Sequence, residues 1–243
     1  MKNIVVLTGA GISAESGIST FRDAGGLWEN HAVQDVASPD GWRRNRELVL
    51  RFYNERRKQL FDVKPNDAHE AIADLETKFR VHVITQNIDD LHERAGSTNI
   101  VHLHGELRKS RSTVNEELVY QCLGDIRIGD KCAKGSQLRP HIVWFGEQVP
   151  LISFAAHLVS EADLVLVIGS SMQVYPAAGL VEYAGRVIPV IYIDPKPAIN
   201  HELKKANLIV LPMKATEGVR KVVAKLLALP EKASLKFSKE DFE

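Results

Sequence analysis

The chain has 243 residues, 44% of them hydrophobic, which is enough to bury one sizeable core together with a small appended module. Basic and acidic side chains number 31 each, so the composition excludes a strong global field of either sign, and we expect no nucleic-acid partner. The first apolar run is too short for a signal peptide, no run reaches membrane-spanning length, and cysteines are scarce, so we expect a cytoplasmic protein that does not contact membranes.

Five short runs of mostly apolar residues predict buried strands, at 3–8, 81–85, 163–168, 189–193 and 208–211. The runs are mostly continuous, which is typical of parallel strands covered on both faces. Helical patterns lie between them, at 46–60, 66–78, 152–160 and 215–228. This alternation predicts an α/β fold with a doubly wound, Rossmann-like parallel sheet, which binds ligands at the carboxyl ends of its strands.

Two stretches interrupt the alternation, at 31–65 and 106–140. The second is polar, contains both cysteines and has no long apolar run. We interpret the two stretches as insertions that form one small module. The Rossmann-like domain then consists of 1–30, 66–105 and 141–230, and a polar tail occupies 231–243.

The first predicted strand runs directly into Gly9-Ala10-Gly11, and a helix-compatible stretch follows. Glycines at a strand-to-helix turn let the backbone approach a pyrophosphate, and the start of a helix offers free N–H groups. A tight turn that needs glycine only for packing explains this loop equally well. The next segment combines Phe21 and Arg22 with two glycines, which suits either a cover over a bound nucleotide or an ordinary surface loop.

In the predicted helix 46–60, an arginine lies on an apolar stripe. The stripe consists of Leu48, Phe52, Arg56 and Leu60, spaced four apart. Tyr53 lies on a neighbouring row. A guanidinium on an apolar face needs an anionic partner, and its planar fork suits a carboxylate. The pattern alone favours a structural salt bridge or an arginine whose head reaches solvent.

Polar side chains crowd the carboxyl end of the strand predicted at 81–85, where Gln86-Asn87-Ile88-Asp89 follows. This is where an α/β fold places its ligand site. Capping of the next helix by Asn87 or Asp89 is the alternative, but a cap explains only one of these polar residues.

Two histidines follow in VHLHGE. If this piece is extended, alternation places His102 and His104 on one face. Histidine is the side chain best suited to accept a proton near neutral pH. The spacing alone does not select one histidine over the other, and either could be an ordinary polar residue.

Five motifs together resemble the sirtuin family in their order and spacing: GAGISAESGISTFR, TQNIDDLHERAG, VHLHGEL, LRPHIVWFGE and GSSMQVYPAAGL. The match covers nearly the whole chain. The resemblance implies a Rossmann-like domain, a small module carried by two insertions, and NAD as a consumed co-substrate. It also implies that the partners are acylated lysine side chains of proteins.

Matched residue by residue, the resemblance implies catalytic roles for His104, Asn87 and Asp89. It implies that the residues contacting NAD are Gly9, Ala10, Gly11, Phe21, Arg22, Gln86, Asn87, Ile88, Asp89, Gly169, Ser170, Ser171, Asp194 and Ala215. Val143, Phe145 and Gly146 match the strand that pairs with the substrate peptide.

The implied reaction transfers the acyl group to NAD. The acyl-lysine oxygen attacks the nicotinamide ribose and expels nicotinamide, and the histidine then removes a proton from a ribose hydroxyl. The products are free lysine, nicotinamide and an O-acyl-ADP-ribose.

The resemblance also changes the interpretation of the arginine stripe. Tyr53 and Arg56 form a Y-x-x-R pattern that looks like the signature of sirtuins preferring succinyl and malonyl groups. Ala37 falls where that subclass carries a small residue widening the acyl pocket. The resemblance therefore implies that Tyr53 and Arg56 bind the distal carboxylate of the acyl group.

The sequence departs from the family at two places. Most sirtuins have two C-x-x-C pairs that hold a structural zinc, but here only Cys122 and Cys132 are present, so we expect no zinc. The module then needs other contacts, and we expect an apolar cluster of Leu118, Val119, Ile126, Ile128 and Leu138. Asp194 stands where the family usually has Asn near the adenine ribose; an Asp can also accept hydrogen bonds from ribose hydroxyls.

Two other functions share the same motifs. One is transfer of ADP-ribose to a protein, which would use the same NAD site and His104. The other is a catalytically silent sensor of NAD or ADP-ribose, although a pure binder does not need His104, Asn87 and Asp89 together. The sequence leaves the oligomeric state open, and we expect a monomer.

Overall fold

A computed structural model describes residues 1–19, 27–28, 31–205, 207–231 and 233–242. The strands are β1 Asn3–Thr8, β2 Leu27–Trp28, β3 His31–Ala32, β4 Arg80–Thr85, β5 Ile100–His102, β6 Gly105–Ser112, β7 Val119–Gln121, β8 Leu138–Ile142, β9 Leu164–Ile168, β10 Pro189–Ile193 and β11 Asn207–Leu211. The α-helices are α1 Val33–Val36, α2 Pro39–Arg44, α3 Arg46–Asp62, α4 Asp67–Asp74, α5 Leu91–Ala95, α6 Ile152–Ser160 and α7 Ala215–Ala228. Within these described ranges, every helix is too short or too polar to cross a membrane.

Six parallel strands form the central sheet, in the order β11-β10-β9-β1-β4-β5. The chain begins in the middle with β1, adds β4 and β5 on one side, and then adds β9, β10 and β11 on the other. The strand order therefore reverses between β1 and β9, and a crevice opens at their carboxyl ends. The predicted α/β doubly wound fold is confirmed, and the five predicted strands agree with the observed ones to within one residue at each end.

The apolar runs are continuous because both faces of the sheet are buried. In β1, Ile4 and Val6 belong to one apolar cluster, whereas Val5 and Leu7 belong to a second cluster on the opposite face. Helices α4 and α7 contribute side chains to the first cluster, and α6 contributes to the second. Each buried aliphatic side chain stabilises the fold by about 1.5–3 kcal/mol, so the sheet is a rigid base for the loops at its edge.

The helical patterns are observed with small differences at their ends. Helices α6 and α7 have the predicted bounds, and α3 begins after Asn45, whose side chain accepts a hydrogen bond from the Leu48 N–H at 2.9 Å. The pattern predicted at 66–78 was too long, since α4 ends at Asp74 and a short 3-10 turn continues to Thr77. The chain must turn there to enter β4.

Both predicted insertions contribute to a third apolar cluster beside the sheet. Strands β6, β7 and β8 form a three-stranded antiparallel sheet, and α1, α2 and α3 pack against it. The shared core contains Val36, Trp42, Phe52, Leu107, Ile142 and Trp144. The expected local cluster was partly wrong: Ile126 is buried, but Val119 and Ile128 are 37% and 53% exposed.

Polar side chains of α3 hold the loop 122–128 in place of the missing apolar contacts. Asn54 pairs with the Ile126 backbone through two bonds of 2.9 Å, donating from Nδ2 and accepting at Oδ1. Arg57 donates from Nε to the Leu107 carbonyl at 2.8 Å and from one terminal nitrogen to the Gly124 carbonyl at 3.1 Å. Asn54 and Arg57, both buried, therefore connect α3 directly to the small sheet and its loop. We call this pair the α3 clamp.

Candidate active site

Three glycines form the floor of the crevice between β1 and β9. The Gly9 N–H donates to the Ile168 carbonyl at 3.0 Å, and the Gly11 N–H donates to the Gly169 carbonyl at 2.8 Å. A Cβ atom on Gly11 would lie 2.7 Å from the Gly169 Cα, which is closer than real contacts allow. Gly169 also has a φ of +58°, in the left-handed region. These glycines are therefore required by the close approach of two loops, and they leave a floor without side chains.

The stretch after this floor differs from the prediction. No α-helix follows β1 in the described residues 1–19; two short 3-10 turns, Ala10–Ile12 and Ala14–Ser16, take its place. The predicted contribution of a helix dipole therefore does not apply here. Phe21 and Arg22, predicted to contact NAD, lie outside the described residues.

The polar cluster after β4 binds the glycine loop directly. Asn87 donates from Nδ2 to the Gly9 carbonyl at 3.2 Å and to the Ser13 Oγ at 3.1 Å. Ser13 in turn donates to Asp89 Oδ2 at 3.0 Å, while Asp89 Oδ1 accepts from the Leu91 N–H at 3.1 Å. The capping alternative explains only this last bond. Asn87 and Asp89 thus belong to one buried network with the loop of β1.

Burial makes Asp89 an unusual carboxyl group. Removal from water raises the pKa of Asp89 to about 6, although its hydrogen bonds from Leu91 and Ser13 act in the opposite direction. Gln86 extends the network across the crevice, because its Nε2 donates to the Ser170 Oγ at 3.1 Å. The predicted residues on β1, β4 and β9 are therefore connected by hydrogen bonds.

His104 has one ring nitrogen fixed by the backbone. Its Nδ1 lies 3.0 Å from the Gln86 carbonyl oxygen, which can only accept, so Nδ1 carries the proton. In the described part of the chain, no partner of Nε2 is recorded. Burial lowers the pKa of His104, while the bond to Gln86 raises it less. His104 is therefore neutral near pH 7, with the lone pair of Nε2 available to accept a proton.

His102 and His104 differ in their contacts, which the sequence could not show. Nδ1 of His102 lies 3.2 Å from the Asn87 carbonyl oxygen, and Nε2 lies 2.6 Å from Glu93 Oε1. Both nitrogens of His102 are therefore engaged inside the protein. Of the two, His104 is the histidine with the geometry of a base.

The remaining predicted contacts lie at the carboxyl ends of β9, β10 and β11. Ser170 is buried, and its carbonyl accepts from the Tyr192 hydroxyl at 2.7 Å, whereas Ser171 is half-buried. Asp194 directly follows β10, is 4% exposed, and accepts from the Lys196 N–H at 2.8 Å through Oδ1. Ala215 is the first residue of α7. These residues share one edge of the sheet with the glycine loops.

The segment after β8 connects His104 to the small module. The Val143 N–H donates to the His104 carbonyl at 2.9 Å, and the Phe145 N–H donates to the Ala37 carbonyl at 3.0 Å. Val143, Phe145 and Gly146 lie beyond the end of β8, and their pairing with a substrate peptide stays a prediction. Strand β8 ends at Ile142, and the chain turns where Gly146 has a φ of +91°.

Tyr53 lies at the centre of the aromatic part of this region. Its side chain is 0% exposed, and its hydroxyl accepts a hydrogen bond from Trp144 Nε1 at 3.0 Å. Burial raises the pKa of Tyr53 well above its ordinary value, so the phenol keeps its proton. The Arg56 guanidinium lies 5.4 Å from the Phe52 ring centroid, and Arg56 is half-buried. The apolar stripe predicted for α3 is confirmed.

Several residues of the site were missed by the sequence reasoning. They are Ser13, Asn54, Arg57, Glu93 and Trp144. Ser13, Glu93 and Trp144 lie within the five sirtuin-like motifs, which mark their positions but not their contacts. Arg57 is adjacent to Arg56 and one row further round the helix, and only the position of the small sheet distinguishes their environments.

The side chains of the small module do not fit a four-thiolate zinc site. Cys132 Sγ lies 3.2 Å from the Ser112 Oγ and 3.1 Å from the Ser136 Oγ, and Cys122 Sγ contacts the Gly124 carbonyl instead. Hydroxyl groups are poor ligands for zinc compared with thiolates. Elsewhere in the described residues, one histidine and two carboxylates lie close enough to share a metal ion: His102, Glu93 and Glu106. Because Lys109 pairs with Glu106 at 2.6 Å, this group is an ion-pair network.

Comparison with known proteins places these residues in a wider context. Residues 9–176 match a family model described as the Sir2 family. An NAD-dependent protein deacylase of Helicobacter pylori (strain J99) is 52% identical over 236 residues, covering 97% of this chain and 100% of that protein.

Solved structures give the same result at the level of the fold. A Sir2 homolog in complex with NAD has a TM-score of 0.82 at 40% identity, covering 93% of this chain and 90% of that chain. A Sir2 bound to an acetylated peptide has a TM-score of 0.75 at 33% identity, covering 91% of this chain and 92% of that chain. The residues that the family model matches include both glycine loops of the crevice.

Proposed function

This chain belongs to the Sir2 family and is an NAD-dependent protein deacylase, and from that premise we propose that it prefers lysine acyl groups ending in a carboxylate, such as succinyl and malonyl. Acetyl-lysine is then a second and poorer substrate. The observation that carries the proposal is the buried phenol of Tyr53, held by Trp144 next to the segment that leads to His104. Relatives with acetylated peptides support acyl-lysine in proteins as the substrate class.

The crevice between β1 and β9 is proposed as the NAD site. When bound, NAD would supply the ribose carbon to which the acyl oxygen bonds as nicotinamide leaves. The floor of Gly9, Gly11 and Gly169 lets a ligand lie directly on the backbone. Asn87 and Asp89 hold this floor from the side of β4, so they orient the ligand relative to His104.

His104 is proposed as the general base. Its Nδ1 is bound to the Gln86 carbonyl, so the ring cannot rotate freely and Nε2 is the atom that accepts the proton of a ribose hydroxyl. The lowered pKa of His104 supports this role, because a base must be unprotonated at the working pH. Transfer of ADP-ribose to protein would use the same base, but no contact among the described residues favours it.

The acyl pocket is proposed to lie between Tyr53, Trp144 and Ala37. Since the Tyr53 hydroxyl accepts from Trp144, its own proton remains for another acceptor, and within the described residues none is recorded. A buried donor of this kind is normally satisfied, and a carboxylate of the substrate would satisfy it. Ala37 is 3% exposed, belongs to the same apolar cluster as Tyr53 and Trp144, and has the smallest side chain with a Cβ.

Arg56 is proposed as the charged half of the carboxylate site. It lies on the same helix as Tyr53, and the adjacent Arg57 is committed to carbonyl groups of the small module. The Arg56 guanidinium lies over the aromatic ring of Phe52. A planar guanidinium and a phenol on neighbouring rows can bind both oxygens of one carboxylate.

A panel of peptides that differ only in the acyl group tests the proposal. The kcat/KM values for acetyl-, malonyl- and succinyl-lysine peptides are measured with saturating NAD, and nicotinamide release is measured with and without peptide. We expect the two acidic groups to be preferred over acetyl by about tenfold or more, because one charged hydrogen bond is worth about 1.5–3 kcal/mol. Equal values would leave a general deacylase, and labelled protein in place of acyl-ADP-ribose would indicate ADP-ribosyl transfer.

A further inference from the structure

His102 is placed so that both of its ring nitrogens face groups that only accept hydrogen bonds. Nδ1 faces the Asn87 carbonyl at 3.2 Å, and Nε2 faces a Glu93 carboxylate oxygen at 2.6 Å. The imidazole side chain is 9% exposed and is therefore largely shielded from water, while the Glu93 side chain is 41% exposed. A neutral imidazole has a single N–H, so both contacts are satisfied only when the ring is doubly protonated.

The charges around His102 maintain that state. Burial alone would lower the pKa of His102, but the bond to Glu93 and the charges of Glu93 and Glu106 raise it. The Glu93 pKa is lowered by the same bond against the effect of burial, so the carboxylate remains ionised. The charged or titratable groups that face His102 are Glu93 and His92 on α5, Glu106 on β6, and Asp89 between β4 and α5. Lys109 on β6 pairs with Glu106 and acts on Glu93.

The imidazolium lies against the same peptide segment as the proposed base. His104 binds the Gln86 carbonyl and His102 binds the next carbonyl, that of Asn87. The Asn87 side chain meanwhile holds the Gly9 carbonyl in the floor of the crevice. His104 and His102 therefore bind the carbonyl groups of two consecutive residues, Gln86 and Asn87, between the proposed base and the glycine loop.

We propose that His102 is a positioning residue for deacylation: as an imidazolium paired with Glu93, it fixes the Asn87 backbone so that His104 and the floor of the crevice keep their relative geometry. The proposal rests on the role of His104 described above, but it does not depend on which acyl group is preferred. Loss of one proton from His102 leaves a single N–H for two acceptors, so either the Asn87 bond or the Glu93 bond breaks. Deacylation then has two limits in pH, a lower one set by His104 and an upper one set by His102.

The test is the pH dependence of kcat/KM on one acetyl-lysine peptide, for the wild type, Glu93→Gln, His102→Asn and His102→Ala. An opposite charge at this distance raises a pKa by about one to three units, so Glu93→Gln should move the alkaline limb to lower pH by about one unit or more. Asn places an amide N–H near the position of Nδ1 and does not titrate. His102→Asn should therefore remove the alkaline limb and retain more activity than His102→Ala, which should lose at least tenfold at every pH.

Two further measurements keep the outcome decisive. His157→Asn, an exposed histidine of α6, controls for the loss of one imidazole and should leave the profile unchanged. The ring resonances of the wild type, followed by NMR against pH, should show His102 titrating above its ordinary range and His104 below it, whether or not a variant folds. The proposal is overturned if Glu93→Gln and His102→Asn both keep the alkaline limb of the wild type, or if the His102 ring is neutral at pH 7. Absence of peptide turnover in the wild type would instead contradict the proposed function. The NMR titration would still show whether the His102 ring is protonated at pH 7.

Discussion

Residues of one type are proposed to have different roles in this protein because their contacts differ. Arg57 is 1% exposed and donates to carbonyls of the small module, whereas its neighbour Arg56 lies over the Phe52 ring beside Tyr53. His102 has both nitrogens bound, whereas His104 has one. Residue type and spacing do not separate the members of either pair, and each pair therefore allows a matched experiment.

The proposed base, His104, gives the first of these experiments. His104→Ala should abolish deacylation while leaving the melting temperature and NAD binding nearly unchanged, because the side chain makes one hydrogen bond to the backbone. Initial rates with acyl-peptide, together with calorimetric titration of NAD, measure both properties. His157→Ala, on the surface of α6, is the control for losing an imidazole. Turnover within about tenfold of wild type, a barrier change of only about 1.4 kcal/mol, would contradict the assignment.

The paired arginines test the carboxylate site. Arg56→Met should lower kcat/KM for succinyl- and malonyl-lysine by roughly ten- to a hundredfold and spare acetyl-lysine, which has no distal charge. Tyr53→Phe should act in the same direction but less, because it removes a neutral donor. It should also lower the melting temperature, because the buried Trp144 Nε1 loses its acceptor. Arg57→Met is the control for a structural arginine, and it should lower the activity on all three acyl groups together with the melting temperature. Arg56→Met giving that same pattern would mean that Arg56 is structural as well.

Asp89 should make the stability of the fold depend on pH in an unusual direction. Its pKa is raised from 3.8 to about 6, so the folded chain binds this proton more tightly than the unfolded chain does. The free energy of unfolding contributed by Asp89 therefore falls as the pH rises from about 4 to about 6, by roughly 2–3 kcal/mol. Asp89→Asn should remove the loss, so its melting temperature should exceed that of wild type by a margin that grows between pH 4 and pH 7.

Melting curves across that pH range measure the effect. Asp74→Asn, at the exposed end of α4, controls for the loss of one carboxylate. A constant difference between Asp89→Asn and wild type at all pH values would contradict the prediction. Asp89→Asn should also lower deacylase activity, because a charged oxygen of the crevice network is replaced.

At the scale of elements, the two glycine loops act as one unit. The contact between Gly11 and Gly169 is backbone against backbone, so no flexible side chain can yield. Gly11→Ala should therefore destabilise the chain by about 1–3 kcal/mol and weaken NAD binding, because the floor must rise or the loops must separate. Thermal melting and calorimetric titration of NAD measure the two effects. Gly124→Ala is the control, since a Cβ there meets nothing within 4 Å.

The sheet was predictable from sequence because burial on both faces produces long apolar runs, as in β1 and β9. Its shortest strand, β5, has only three residues, one of them a histidine, so no apolar run marks it. The segment after β8 was matched to a peptide-pairing strand from its motif, and in the chain without a peptide it forms a turn. Strand ends of this kind depend on a partner and not on local propensity.

The same limit applies to the site. The motifs were sufficient to predict that Gln86, Asn87 and Asp89 lie near the glycine loop, because strand ends of a parallel sheet meet at one edge. They were not sufficient to predict the contact of His102 with Glu93 or the bond between Tyr53 and Trp144, since these residues come from separate elements. Such contacts follow from tertiary packing.

At the scale of the whole molecule, the α3 clamp connects the small module to the helix through buried hydrogen bonds. Asn54 and Arg57 tie the loop 122–128 to α3, and Cys132 is hydrogen-bonded to serines. We predict that the purified protein contains no stoichiometric zinc and keeps its activity and melting temperature in a strong chelator. Metal analysis and melting curves with and without chelator test this. One zinc per chain, or unfolding on chelation, would contradict it.

A variant of the clamp gives the complementary result. Asn54→Leu leaves the Ile126 N–H and carbonyl buried without their partner, at a cost of about 1–3 kcal/mol for each group. We expect this change to lower the melting temperature by several degrees, with or without chelator. A module held by metal would instead tolerate the variant and fail when the metal is removed.

The strand order also determines when the chain can first recognise its nucleotide during synthesis. β1 is made first, but one of its two neighbours, β9, consists of residues 164–168. Until β9 leaves the ribosome, β1 has an unpaired edge, and Gly9 and Gly11 have no second loop to pack against. A nascent chain therefore cannot hold NAD while most of it is being translated. Capture of the nucleotide becomes possible only when the sheet closes around β1, which requires the chain to be made as far as residue 168 of 243, about two thirds of its length.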